Sequence, residues 1–245
     1  ASENKWIMIH IWVELQRILH LKQMNNISYG GDSPPKKINI FYEDFIGYYE
    51  NKFSDKLCDK LIKVFDKAEK NNSIGFQENN SKHRIDKIID LQSQDHLYPD
   101  LVFNCNLLIF DCVKDYVNKY PTIKDIKPYN PKLNLQKTIA GGGFHNWHYE
   151  KCESMMSFDS DRTLVWMVYL NDDFEGGETE FIYYQKRIIP KKGTVLIFPP
   201  GYTHTHRGGM VINREKYILT GWIYKTGWDD MVTRYAKAIT ENPSS

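Results

Sequence analysis

His148 and Glu150 stand two residues apart in the run Gly141-Gly142-Gly143-Phe144-His145-Asn146-Trp147-His148-Tyr149-Glu150. On an extended strand, residues two apart project to the same face. An imidazole and a carboxylate projecting together are two thirds of a 2-His-1-carboxylate triad. That ligand set holds Fe(II) on one face and leaves the opposite positions open for oxygen chemistry. The third ligand is expected downstream, and Phe198-Pro199-Pro200-Gly201-Tyr202-Thr203-His204-Thr205-His206-Arg207 offers His204 and His206. Both share a face if that stretch is extended, and only one is needed. Ten residues past His206, Lys216 opens the apolar run Lys216-Tyr217-Ile218-Leu219-Thr220-Gly221-Trp222. A lone ammonium entering a buried strand needs an anionic partner, so Lys216 is a candidate carboxylate anchor.

These side chains need a scaffold of strands, and the chain supplies one late. Its first half carries helices. Ser54 is a good N-cap for a helix over 55–70, whose Leu57, Cys58, Leu61, Ile62 and Phe65 follow the spacing of one face. Pro99 to Asn118 is a second helix, with Pro121 after its end. Short strands are expected at 38–42 and 84–91, and the polar run Asn71 to Lys82 reads as a mobile loop that could close over substrate. Residues 5–23 read as a helix or a helix–strand mixture, where His10 and His20 are surface or packing histidines. From Pro128 onward, Gly and Pro turns separate strand candidates at 133–139, 163–170, 178–184, 194–198 and 217–224. A closing helix is expected over 228–239. Helices first and strands later give an α+β, mainly β domain in which helices cover one sheet of a sandwich or barrel. The expected organisation is an N-terminal extension and linker at 1–37, a helical support region at 38–127, a β core at 128–239 and a tail at 240–245.

The 245 residues carry a net charge of +1, so no nucleic-acid partner is expected. Lys124, Lys127, Lys132 and Lys137 read as a solvated face. Aromatic residues make up 14%, which suits a β-rich core. Cys58, Cys105, Cys112 and Cys152 contain no C-x-x-C pair and read as reduced cysteines of a cytoplasmic protein. No apolar run is long enough for a membrane span, and no signal-peptide pattern is seen, so no membrane partner is expected.

Taken together, residues 133–225 resemble the prolyl 4-hydroxylase branch of the Fe(II)/2-oxoglutarate-dependent oxygenases. The resemblance rests on the Gly-rich run ending in His148-x-Glu150, on Arg162-Thr163-Leu164-Val165-Trp166-Met167-Val168-Tyr169-Leu170-Asn171-Asp172, and on Glu175-Gly176-Gly177-Glu178-Thr179-Glu180-Phe181. Gly193-Thr194-Val195-Leu196-Ile197-Phe198, a distal histidine and Lys216-Tyr217 with Trp222 complete it. A weaker match is a Phe45-led segment followed by Ser54 and Cys58-Asp59-Lys60-Leu61-Ile62. The resemblance implies a double-stranded β-helix (jelly-roll) core flanked by N-terminal helices. It implies Fe(II), 2-oxoglutarate and O2, with ascorbate as a candidate reductant, and a prolyl residue in a protein or peptide as substrate. The alternatives are the same chemistry on a free amino acid, another side chain or a small metabolite, and a non-catalytic jelly-roll metal-binding module. By position, His148, Glu150 and the distal histidine would bind iron and act in catalysis. The family's spacing to the basic anchor favours His206, with His204 the alternative. Lys216 and Tyr169 would hold the C5 carboxylate of 2-oxoglutarate. Arg162 would stand where relatives contact substrate, and Trp147 and Tyr149, beside the metal strand, are further substrate-binding candidates. Three positions depart from the family's pattern: Glu150 replaces an aspartate, Thr138 a tyrosine, and Met210 or Val211 a proline.

Overall fold

Ser54 begins the ordered helical part as expected: its Oγ accepts the Leu57 N–H at 3.2 Å and caps helix α1, Asp55–Lys70. In this computed structural model the described residues are 36–73, 75–94, 96–124, 130, 132–151 and 161–225. The expected segment 5–23, His10, His20, Cys152 and the closing helix 228–239 lie outside the described residues. Helix α1 buries one stripe, Cys58, Leu61, Val64, Phe65 and Ala68. Helix α2, Pro99–Lys119, starts on a proline whose missing N–H removes no helical bond. It buries Leu101, Val102, Cys105, Ile109, Cys112, Val113 and Tyr116. Cys58, Cys105 and Cys112 are free and buried, and burial pushes each thiol up to about 12.

Twelve strands are present among the described residues. They are β1 Asn39–Glu43, β2 Ile46–Glu50, β3 Phe76–Ser81, β4 Arg84–Asp90, β5 Asn134–Thr138, β6 Gly143–His148, β7 Arg162–Tyr169, β8 Thr179–Phe181, β9 Lys186–Ile188, β10 Val195–Phe198, β11 His206–Gly208 and β12 Lys216–Tyr224. All pair antiparallel, in the order β1-β2-β10-β7-β12-β5-β4-β6-β11-β8-β9, with β3 beside β4. The path turns at β4. Its C-terminal half pairs β5 from Lys87↔Lys137 to Asp90↔Asn134, and its start pairs β6 through Arg84↔Phe144 and Ile85↔Gly143. The curled sheet is the double-stranded β-helix, with β6, β11, β8 and β9 as its shorter wall.

Strand periodicity sorts the side chains of β7. Leu164, Trp166 and Val168 pack against the helices, together with Leu135, Val195, Ile197 and Leu219. Val165, Met167 and Tyr169 turn to the other side and join Leu196, Phe198 and Phe181 in a second cluster. Trp166 is fully buried, and removing such a side chain from water contributes roughly 3 kcal/mol. It fits because Gly221 lies opposite: a Cβ there would meet Trp166 Cζ2 at 2.6 Å and Lys132 O at 2.5 Å.

Two expectations change. Residues 76–81 are strand β3, paired residue for residue with β4, rather than part of a loop. Their side chains are polar because β3 lies at the sheet's margin and is largely exposed. Lys137 does not belong to a solvated face. It is 9% exposed, with Glu69 at 3.0 Å and Glu215 at 2.8 Å.

Candidate metal and cosubstrate site

Strand β6 ends at His148, so Glu150 lies just past it rather than on it. A bend and a loop do what strand geometry was expected to do. Glu150 N–H and Lys151 N–H both donate to Pro200 O, at 2.9 and 3.1 Å. The Pro199-Pro200-Gly201 stop after β10 therefore fixes the backbone of the carboxylate residue. The chain then makes a 3-10 turn over Tyr202–His204, closed by His204 N–H donating to Gly201 O at 2.9 Å.

That turn separates the two downstream histidines. His204 is 2% exposed and its Nε2 stands 2.9 Å from Asp44 O. Its ring packs among Tyr184, Phe181 and Phe198. His206 opens β11 and lies directly across from His148 in the ladder. One donor atom each from His148, Glu150 and His206 lies within 4.8 Å of the others, the one such cluster among the described residues. Glu150 Oε1 is 3.4 Å from His148 Nε2 and 3.8 Å from His206 Nε2.

The backbone sets the tautomers. His148 Nδ1 is 2.9 Å from Asn146 O, and His206 Nδ1 is 2.9 Å from His204 O. A carbonyl only accepts, so each Nδ1 carries the hydrogen and each Nε2 keeps a lone pair for a metal. Burial, with His148 alongside, pushes the His206 imidazole down to about 4, so it is neutral as a ligand must be. Burial opposes charge on Glu150, but the facing imidazoles of His148 and His206 and the Arg162 guanidinium outweigh it and hold the carboxyl below its usual range. Phe144 stacks on His148, with ring centres 4.0 Å apart, and Arg84 lies over Phe144 at 4.7 Å.

Lys216 stands at the start of β12, 6% exposed, and its Nζ donates to Gly177 O at 2.6 Å. Gly177 has φ +66°, and a Cβ there would meet Lys216 Cδ at 3.1 Å. Burial pushes the ammonium down to about 8, against the pull of Glu178. Tyr169 is fully buried beside it, with Lys216 Nζ 5.6 Å from its ring centre. The Tyr169 hydroxyl bonds Thr179 Oγ1 at 2.7 Å. His148, Glu150, His206, Lys216, Thr179 and Arg162 line one cavity of about 580 Å³.

Arg162 is engaged with the triad. Its Nη1 donates to Glu150 O at 2.7 Å and to Glu150 Oε2 at 3.1 Å. Trp147 and Tyr149 are 39% and 43% exposed, and neither is among the residues lining the cavity. Thr179, Phe144 and Arg84 escaped the sequence reading. Thr179 was legible: it sits two residues before Phe181 on one strand, so the two share the inward face.

Two imidazole nitrogens and one carboxylate oxygen at these separations suit Fe(II). A buried ammonium in the same cavity suits one end of a dicarboxylate. The fold and site thus define a jelly-roll with a facial triad and an anion anchor. The sequence profile of the 2OG-Fe(II) oxygenase superfamily matches residues 133–224. That domain belongs to the superfamily, and the chain is an Fe(II)- and 2-oxoglutarate-dependent dioxygenase. None of the curated protein sequences matches it. Among solved structures it is similar to the viral collagen prolyl hydroxylase of Paramecium Bursaria Chlorella virus-1 in its 2OG complex. The TM-score is 0.56 and the identity 23%, over 75% of this chain and 97% of that one. A Pseudomonas putida prolyl-4-hydroxylase gives a TM-score of 0.58 at 14% identity, over 75% and 94%. A Trichoplax adhaerens prolyl hydroxylase, in complex with a hypoxia inducible factor peptide fragment, gives 0.57 at 14%, over 79% and 86%.

Proposed function

We propose that this dioxygenase hydroxylates a prolyl residue in a peptide or protein. His148, Glu150 and His206 hold Fe(II), and Lys216 holds the C5 carboxylate of 2-oxoglutarate. The observation that carries the assignment is the opening of the His148–Glu150–His206 cluster and of buried Lys216 on one cavity. Bound there, Fe(II) and 2-oxoglutarate supply the oxygen chemistry, in which one atom of O2 enters a substrate C–H bond and the other goes into succinate as CO2 leaves. The protein's part is positioning. The Nδ1–H bonds aim both imidazoles, and Pro200 fixes the backbone of Glu150. Tyr169, whose hydroxyl is set by its bond to Thr179 Oγ1, acts with Lys216 on the cosubstrate carboxylate. Ascorbate serves as reductant, and the buried free thiols support a cytoplasmic setting.

The prolyl substrate is supported by the fold shared with prolyl hydroxylases, one of them in complex with a peptide. The test is a panel of proline-containing peptides incubated with Fe(II), 2-oxoglutarate and ascorbate. The expected product is a peptide heavier by one oxygen on proline, with one succinate per hydroxylation. Oxygen on another residue type, or stimulation by a free amino acid alone, would replace the prolyl assignment.

A further inference from the structure

We infer that Arg162 is a positioning residue for the metal ligand, and that Glu150 and Arg162 form a matched pair. The guanidinium takes one carboxylate oxygen and leaves the other for the metal. This rests on the iron-site reading above.

Glutamate has one more methylene than aspartate, and so one more torsion to fix before its carboxylate can serve a rigid triad. The structure shows how it is fixed. Oε1 faces both histidine Nε2 atoms, at 3.4 and 3.8 Å. Oε2 accepts from Arg162 Nη1 at 3.1 Å. The same Nη1 donates to Glu150's own carbonyl at 2.7 Å. One nitrogen therefore ties the side chain back onto its own backbone, which folds the longer chain to the required reach. The guanidinium is itself held in place. It lies over the Trp222 ring at 3.9 Å, and its Nε donates to the Tyr224 hydroxyl at 3.3 Å. Trp222 and Tyr224 both belong to β12, the strand that carries Lys216. The anchor strand thus also fixes the arginine that sets the carboxylate.

This arrangement has chemical consequences. Lysine offers a point charge without a plane to stack on Trp222, so it does not replace Arg162. Aspartate at 150 is too short to span Arg162 and the point between the imidazoles. Arg162→Ala should leave Glu150 able to bind metal, but with its torsions unset. Loss of a partner that orients a metal ligand weakens metal binding by roughly 10- to 100-fold.

The test is Mn(II) binding to the full chain by calorimetry, with no turnover, for the wild type, Arg162→Lys, Arg162→Ala, Glu150→Asp and the Glu150→Asp/Arg162→Ala double variant. A circular dichroism spectrum and an unfolding midpoint are taken for each. Arg162→Lys and Arg162→Ala should both weaken Mn(II) by about tenfold or more. Glu150→Asp should weaken it by about tenfold in the wild-type background and by less than about threefold once Arg162 is alanine. If Arg162→Ala does not fold, the Arg162→Lys double variant closes the same cycle. Effects that simply multiply overturn the pairing. Unchanged Mn(II) affinity in Arg162→Lys, with a raised KM for the peptide, overturns it in favour of a substrate contact. No Mn(II) binding by the wild type would overturn the iron-site reading itself, a separate result.

Discussion

Replacing Lys216 by Met should make the cosubstrate-free protein more stable and its cosubstrate binding much weaker. Methionine keeps most of the apolar stem and removes the ammonium. In the fold that ammonium is pushed from 10.5 to about 8, chiefly by burial. The difference corresponds to on the order of 3 kcal/mol against the charged form. The sign follows from proton counts. Between about pH 8 and 10.5 the unfolded chain binds more protons than the folded one, so stability rises with pH across that window. Below about pH 8 the penalty is present in full. Lys216→Met removes it, minus the hydrogen bond to Gly177 O, which contributes about 1–2 kcal/mol. Cosubstrate binding moves the opposite way. Losing one partner of a buried charge pair costs roughly 2–5 kcal/mol, a loss of at least about 30-fold in affinity. In the wild type, 2-oxoglutarate affinity should fall by up to about tenfold per pH unit above about 8, because binding must then take up a proton, and the variant should lack that slope. Chemical unfolding measures the first effect, and calorimetric titration of 2-oxoglutarate with Mn(II) present measures the second across pH. A variant that is less stable, or that keeps its 2-oxoglutarate affinity, would refute the reasoning.

Exchanging either downstream histidine separates structure from chemistry. His206→Ala should abolish Mn(II) binding and succinate formation. His204→Ala should keep metal binding and lose about 1–3 kcal/mol of stability, because Asp44 O loses its donor inside an aromatic cluster; loss of metal affinity from His204→Ala alone would reverse the assignment. Thr179→Val keeps the shape and removes the hydroxyl that bonds Tyr169, so the KM for 2-oxoglutarate should rise about tenfold with the fold intact; an unchanged KM argues that Thr179 only packs. Gly221→Ala should lower stability by roughly 2 kcal/mol or more, read by thermal unfolding, since the added methyl meets both Trp166 and the Lys132 carbonyl.

Those residues also show what a sequence can carry. Helices α1 and α2 and most of the later strands were legible because their signals are local: a serine cap, an apolar stripe at helical spacing, and Val and Ile runs between glycines and prolines. The choice between His204 and His206 was not local. It depends on a 3-10 turn after Gly201 that swings His204 toward Asp44, a residue far away in the chain. The polar run over 76–81 has no apolar alternation, so its pairing with β4 could not be read from its own residues. Arg162 was legible as a site residue, but its contact with Glu150 required knowing where the loop after β10 holds that backbone.

The ladder pairing of His148 with His206 has a consequence for folding fidelity. Neighbouring residues on a strand face opposite ways, so a one-residue slip of β11 against β6 would bring Arg207 inward and turn His206 out. A cation would then occupy the metal position in place of a ligand. A divalent ion held by His148, Glu150 and His206 would therefore stabilise the native alignment over the one-residue slip.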